Sequence, residues 1–237
     1  MKIISIIPAR GQSKSIHLKN ISVLNRKPLI YYSIKQSLKC KLIQRTIVST
    51  DNELIAKISK KFGAEVPFLR PKNISKDSSK DIGFFRHLIE WLKMNENYKP
   101  DLIVQMRPTN PLRDQKMIVK AIQLMKKNSK ADSLRSISIP ERSPYKMWLK
   151  NGKYLKYFMK KTKKQYFNSD RRKFPKVYWH DGSLDIVRYK TIKNFNDLLG
   201  RKVIYLENKF PYLIDIDSKQ DLKIANLLVK NKEIKLL

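Results

Sequence analysis

Two aspartates stand two residues apart in the run Ile214-Asp-Ile-Asp217. In extended chain such residues point to one side. Asp215 and Asp217 can therefore converge on one Mg²⁺, which takes a few carboxylates and fills its shell with phosphate oxygens and water. The pair also reads as capping acids for a helix that starts at Ser218, with Asp221 three residues on. A second group lies in Pro8-Ala-Arg-Gly-Gln-Ser-Lys14, continued by His17-Leu-Lys-Asn20. Arg10 offers a planar fork for phosphate oxygens, and Lys14 and Lys19 offer mobile point charges. Gly11 lets the backbone approach a ligand, and successive amides can form an anion-binding nest. An ordinary basic loop in a basic protein is the plainer reading of the same residues.

A third group is Gln105-Met-Arg-Pro-Thr-Asn-Pro-Leu-Arg113. Its two prolines build a rigid loop, and Arg107, Thr109, Asn110 and Arg113 are donors for phosphate or sugar hydroxyls. It also serves as a strand-to-helix connector with Asp114 as cap. In Ser49-Thr-Asp-Asn-Glu53, Thr50 or Asp51 is the expected helix cap. Other chemistries lack their residues. The Walker pattern, the Gly-x-Gly-x-x-Gly fingerprint and the Gly-x-Ser-x-Gly elbow are absent. His17, His87 and His180 share no zinc-ligand spacing with Cys40. His87 and Trp91 read as structural. Tyr166, Phe167, Phe174, Tyr178 and Trp179 interleave with basic residues, for stacking on bases or for an oligomer interface.

These groups must be positioned by something regular. Lys2–Ile7, Arg45–Ser49, Glu65–Phe68, Leu102–Met106, Ser133–Ile139, Val177–Arg188, Lys202–Leu206 and Ile214–Asp217 read as strands or ordered extended runs. Helical spacing covers Pro28–Lys39, Asn52–Phe62, Asp81–Met94 and Asp114–Lys127, with Gly63 as a stop. Strands alternating with helices predict a mostly parallel α/β sheet. Its ligands then sit beyond the carboxyl ends of the strands, at the loops of Pro8, Thr50, Arg107 and Asp215. Regularity loosens after Pro140, and residues 140–190 read as an insertion or arm within one domain spanning 1–237. The tail from Lys230 is expected to fray.

Composition narrows the classes. The 237 residues are 41% hydrophobic, enough for a sizeable core. The 52 Lys and Arg against 20 Asp and Glu give a formal charge of +32, a field that attracts polyanions. Abundant Lys, Ile and Asn with scarce Gly also fit A/T-rich codon drift, which accounts for most of the surplus. One cysteine, Cys40, excludes an internal disulfide framework. The short apolar start does not read as a signal peptide, and no stretch reaches the ~20 residues that span a bilayer. Cytoplasm is the default location, with no membrane and no specific nucleic acid as partners.

In order and spacing, these motifs resemble the acylneuraminate cytidylyltransferases, also called CMP-sialic acid synthetases. The matching stretches are Ile7–Lys14, Lys19-Asn-Ile21, Val48-Ser-Thr-Asp51, Gln105–Arg113 and Ile214–Asp217. Asp132-Ser133, Pro144–Trp148 and Pro175–Trp179 resemble a bacterial branch. The resemblance implies a nucleotide-diphospho-sugar transferase fold, a Rossmann-like three-layer α/β/α sandwich with a small dimerisation arm. It implies a homodimer in which the segment after Pro140 reaches toward the partner. It places Arg10 and Lys19 on the triphosphate of CTP, and Asn20 with Ala9, Arg10 and Gly11 near the nucleoside. Arg70, Ser78 and Ser79 would flank the cytidine. Gln105 would face the sugar acid with Thr109 among the acceptor residues, and Lys146 and Arg171 or Arg172 would bind its carboxylate. Asp215 and Asp217 would carry Mg²⁺.

The chain departs from the family pattern at Gln12, Ser15, His17, Asn110 and Asp181, where Gly, Gly, Pro, Ser and Asn are usual. The implied reaction is in-line attack by the anomeric hydroxyl of a 2-keto sugar acid on the α-phosphorus of CTP, with Arg10, Lys19 and Asp217 as its catalytic residues. Rival readings are a nucleotidyltransferase for another acceptor such as 3-deoxy-manno-octulosonate, a nucleic-acid binder, and a silent relative.

Overall fold

A computed structural model of the protein describes residues 1–159, 169–209, 214–231 and 233. The strands are β1 (Ile3–Pro8), β2 (Val23–Leu24), β3 (Lys27–Pro28), β4 (Arg45–Ser49), β5 (Leu102–Gln105), β6 (Ser133–Ser138), β7 (Trp148–Asn151), β8 (Tyr154–Tyr157), β9 (Trp179–Arg188) and β10 (Val203–Glu207). The α-helices are α1 (Leu29–Lys39), α2 (Glu53–Lys61), α3 (Asp81–Glu96), α4 (Gln115–Lys127), α5 (Tyr189–Phe195) and α6 (Lys219–Lys230).

Six strands form one sheet in the order β10-β6-β9-β5-β1-β4. β1 runs parallel to β4 and β5, and β6 parallel to β10, while β9 is antiparallel to β5 and β6. Alternation along each strand sends its apolar residues to opposite faces. Ile3, Ile7, Val48, Leu102, Val104 and Ile186 pack with α1, α2 and α4 residues such as Ile30, Ile55 and Ile118. Ile4, Ile6, Ile47, Ile103 and Val187 pack on the other face with Phe85, Leu88 and Ile192 of α3 and α5. Two covered faces make the three-layer sandwich expected from the motifs.

A third cluster fixes the functional loops. Ile16, Leu24, Leu29, Leu112, Ile216 and Ala225 bury together. This ties the β1 loop, the β5 loop and the 214–217 run to α6. α6 opens with a reciprocal capping box between Ser218 and Asp221.

Several local expectations differ. Glu65–Phe68 is not a strand; isolated parallel bridges join Ile47 to Glu65 and Thr50 to Leu69. Ile214–Asp217 is not a strand either, and one backbone bond from Ile216 N–H to the Thr109 carbonyl holds it. α2 is capped by Asn52, whose side chain accepts from the Ile55 amide, not by Thr50 or Asp51. Pro28 is the cap residue of α1 rather than its first turn. Gly63 ends α2 with φ 97°, a conformation that favours glycine. In the 140–190 region β7 and β8 pair as a separate hairpin. Tyr166, Phe167, the Arg171 side chain and the last residues of the tail lie outside the described residues. No helix among the described residues is long and apolar enough to cross a membrane.

Candidate active site

A cavity of about 330 Å³ opens beyond the carboxyl ends of β1 and β5. Its first wall is the β1 loop, with Arg10, Ser13, Lys19 and Asn20; its second is the segment from Arg70 to Phe84. The third joins Arg107, Pro108 and Thr109 to Asp215 and Asp217.

The β1 loop is held from below. The amides of Ala9 and Gly11 donate to the Ser49 carbonyl and to Asp51 Oδ1 at 3.0 and 2.8 Å. Those two amides are therefore committed inside the protein, which removes them from the expected anion nest. Gly11 must stay small, because a Cβ there would lie 2.9 Å from Asn52 Cβ. Asn20 is buried and donates to the Arg10 carbonyl at 2.8 Å. Its side chain thus sets the loop's curvature.

The loop's charges are compensated locally. Arg10 and Lys14 meet Asp77 at 2.7 and 3.2 Å, and Lys19 meets Asp217 at 2.7 Å. On the second wall, Arg70 donates to the Ser49 hydroxyl and carbonyl, with its guanidinium 4.8 Å from the Phe84 ring centroid. Burial lowers its pKa to about 10, partly offset by Asp51 and Asp81. Ser79 lines the cavity; Ser78 is exposed and does not.

The Asp pair behaves asymmetrically. Burial first, and then the charge of Asp217, raise the Asp215 pKa against a hydrogen bond from Thr109. Asp215 Oδ1 is buried without a hydrogen-bond partner, whereas Asp217 is largely exposed. An orphaned anionic oxygen beside a second carboxylate is what a divalent cation satisfies. Among the described residues no group of three or more His, Cys, Asp or Glu could hold a metal. A cation here needs ligand oxygens as well.

Other expected site residues lie elsewhere. Gln105 is buried behind the third wall and donates to Asp81 Oδ2 at 3.0 Å. Arg113 is not a ligand donor: it is enclosed, bonded to the Ser183 carbonyl, Gln36 and the Arg107 carbonyl. Burial drives its pKa down to about 9, with the charge of Arg107 acting the same way. Lys146 sits on the arm, 5.4 Å from the Phe174 ring centroid, and Arg172 is bound to Asp170. Neither lines the cavity. Sequence reasoning missed Asp77, Asp81 and Phe84 as lining residues, and Asp185 behind them. Their only sequence signal is that acids are scarce in this chain.

A model of the cytidylyltransferase family matches residues 4–234. The post-translational flagellin modification protein B of Campylobacter coli is 30% identical over 98% of this chain and 97% of its own. A pseudaminic acid cytidylyltransferase of Campylobacter jejuni is 27% identical, covering 97% of each. A solved CMP:2-keto-3-deoxy-manno-octonic acid synthetase complexed with CTP superposes with a TM-score of 0.69. It shares 13% identity over 98% of this chain and 100% of that one, a likeness of fold.

Proposed function

The chain belongs to the cytidylyltransferase family, and on that premise we propose that it transfers CMP from CTP to the anomeric hydroxyl of a 2-keto sugar acid. The acceptor class is the sialic, legionaminic and pseudaminic acids, in keeping with what the relatives' names say of them. One observation carries the reading: a single cavity gathers Arg10 and Lys19, the buried Arg70–Phe84 pair, and the carboxylates of Asp215 and Asp217.

Arg10 and Lys19 take the triphosphate, exchanging Asp77 and Asp217 for phosphate oxygens. Arg70, Phe84 and Ser79 enclose the nucleoside, with Asn20 and the backbone of residues 9–11 beside it; Ser78 closes over this edge. Asp215 and Asp217 would hold Mg²⁺, and Asp215's unpartnered oxygen supports that role. When bound, the ion would neutralise charge on the α-phosphate. The anomeric oxygen attacks the α-phosphorus in line, the bond to the departing pyrophosphate breaks, and the hydroxyl proton is released to water. Arg10 and Lys19 stabilise the charge that leaves. Catalysis is positioning and preorganised charge, with no covalent enzyme intermediate.

The acceptor lies toward Thr109 and Gln105. Lys146, Arg171 and Arg172 reach the acceptor from the arm of a second copy. Within residues 140–190 the dimerisation arm is then the part ahead of β9, because β9 itself lies in the central sheet of the one catalytic domain. Exposed Trp148, Leu149, Tyr154, Leu155 and Trp179 on this region support that use. The test is pyrophosphate release from CTP with Mg²⁺ across a panel of 2-keto sugar acids, with ATP, GTP and UTP as controls. Acceptor-dependent release with CTP alone is expected. Acceptor-independent release, or none from a folded protein that binds CTP, would reject the acceptor class.

A further inference from the structure

The third wall of the cavity holds an arginine that the roles above leave unused. Arg107 follows β5 and lines the cavity between Asp81 and Thr109. Its Nη1 donates to the Gly182 carbonyl at 3.2 Å and to Asp185 Oδ2 at 2.7 Å. Its Nη2 donates to Asp81 Oδ2 at 3.1 Å. A guanidinium has five N–H donors. The Nε–H and one Nη2–H therefore have no protein acceptor among the described residues. Nε and Nη2 flank one edge of the guanidinium fork, the edge along which a carboxylate can be met bidentately.

The setting of that fork is built rather than incidental. β9 pairs with β6 at Asp185 opposite Arg135 and again at His180 opposite Ile137, with a register shift between. Ser136 alone thus faces residues 181–184. Bulges of this kind re-aim groups beside functional sites. Here the excess chain turns through Gly182, at φ 69°, and aims its carbonyl at Arg107. Asp185 is buried and shared: Oδ2 also meets Arg135 at 2.6 Å, and Oδ1 meets His180 Nε2 at 2.8 Å. Arg107 is oriented by Asp185 without having that carboxylate to itself. Burial opposes the arginine's charge, but Asp185 and Asp81 outweigh it and raise its pKa.

We infer that Arg107 is a binding and specificity residue for the acceptor, its open fork receiving the acceptor's carboxylate, and that Asp185 is its positioning residue. The inference rests on the reading of the cavity as a cytidylyltransferase site. The first two walls supply the cations and the apolar surface for a nucleotide. The third is the wall left for the second substrate, beside the orphaned oxygen of Asp215. Arg107 thus brings to the acceptor a cation from the same chain that carries Asp215 and Asp217, independent of the arm. A guanidinium fork fits a planar C1 carboxylate, and a neutral ester in its place forfeits both charge and geometry.

The test uses the full chain with Mg²⁺ and CTP, comparing wild type, Arg107→Gln and Arg107→Lys. The acceptor is the best 2-keto sugar acid of the panel, and its C1 methyl ester is the competing probe. Arg107→Gln leaves Asp185 paired with Arg135 and His180, so it should fold. Its acceptor KM should rise about 10- to 100-fold, the loss of one charge-assisted pair. The CTP dissociation constant should stay within about twofold. Arg107→Lys should fall between, since it keeps charge and loses the fork. The ester should inhibit wild type weakly and Arg107→Gln no worse. Asp185→Asn, where folded, should raise acceptor KM with kcat retained.

An unchanged acceptor KM in Arg107→Gln would overturn the inference. So would equal losses for acid and ester, or a CTP constant that moves while the acceptor KM does not. If wild type neither binds nor uses any panel acid, yet binds CTP, the proposed acceptor class falls and takes this inference with it.

Discussion

Arg10 and Arg107 line the same cavity from different walls, and each sits against an aspartate at 2.7 Å. The two pairs differ in everything else. Asp77 is about one-third exposed and answers Arg10 and Lys14 from a short segment ahead of α3. Asp185 is 5% exposed, lies on a central strand, and is enclosed by Arg107, Arg135 and His180. A surface pair is worth little and exchanges readily with a ligand. A buried cluster is costly to break, because each charge left behind is unpaired and desolvated. One wall is made to trade its partners for phosphate, and the other to hold one geometry.

The sharpest way to break this contrast is at Asp185. Asp185→Asn takes the carboxylate from Arg135 and leaves Arg107 with Asp81 alone, and should cost about 3–5 kcal/mol of folding free energy. Urea unfolding would register it as a lower midpoint with an unchanged slope. Asp185 also marks acid unfolding. Burial alone would raise its pKa, but His180, Arg107 and Arg135 together hold it down at about 2. A depressed folded pKa gives stability that is present above the ordinary carboxylate value and lost as pH falls through the folded one. Wild type should therefore lose roughly 2 kcal/mol from this group between about pH 4 and pH 2. Asp185→Asn should lack that part of the acid limb, and equal acid limbs would place the stabilising charge elsewhere.

Next in size is Asp217, where the surface wall meets the proposed metal. Asp217→Asn should lower turnover by at least about 100-fold, in line with loss of one preorganised electrostatic contact. Its thermal midpoint should fall only modestly, because Asp217 is largely exposed, although its partner Lys19 is mostly covered. Near-normal turnover would remove Asp217 from the metal site.

The same contrast explains what was legible in the sequence. β1, β4, β5 and the four central helices follow from apolar periodicity, because each answers to local spacing. Arg10, Lys19, Asn20, Arg70, Thr109, Asp215 and Asp217 also emerge from motifs, and the fold gathers them in one cavity. Asp185 and Asp81 were not legible as partners of Arg107, since they stand 78 and 26 residues from it. Only the antiparallel entry of β9 between β5 and β6, with its bulge, makes the first of those contacts. Gln105 was expected on the acceptor and Arg107 was noted only as one donor among several. Gln105 is the last residue of β5 and is buried, while Arg107, two residues on, has left the strand and lines the cavity; both donate to Asp81 Oδ2. Glu65–Phe68 has strand composition, but it follows a tight turn and makes isolated bridges, so no ladder forms.

The smallest expected effect tests the exchange on the surface wall. Asp77 occupies Arg10 and Lys14 where a phosphate would bind, so it competes with the ligand. Asp77→Asn should change folding stability by less than about 1 kcal/mol. It should tighten inhibition by inorganic pyrophosphate by up to about fivefold, the equivalent of that same energy. The gain should shrink with added salt, because these charges face solvent and are screened within about 10 Å at 0.1 M. Weaker pyrophosphate binding in Asp77→Asn would mean that Asp77 helps hold the ligand, and the two walls would then differ in burial alone and not in their readiness to trade partners.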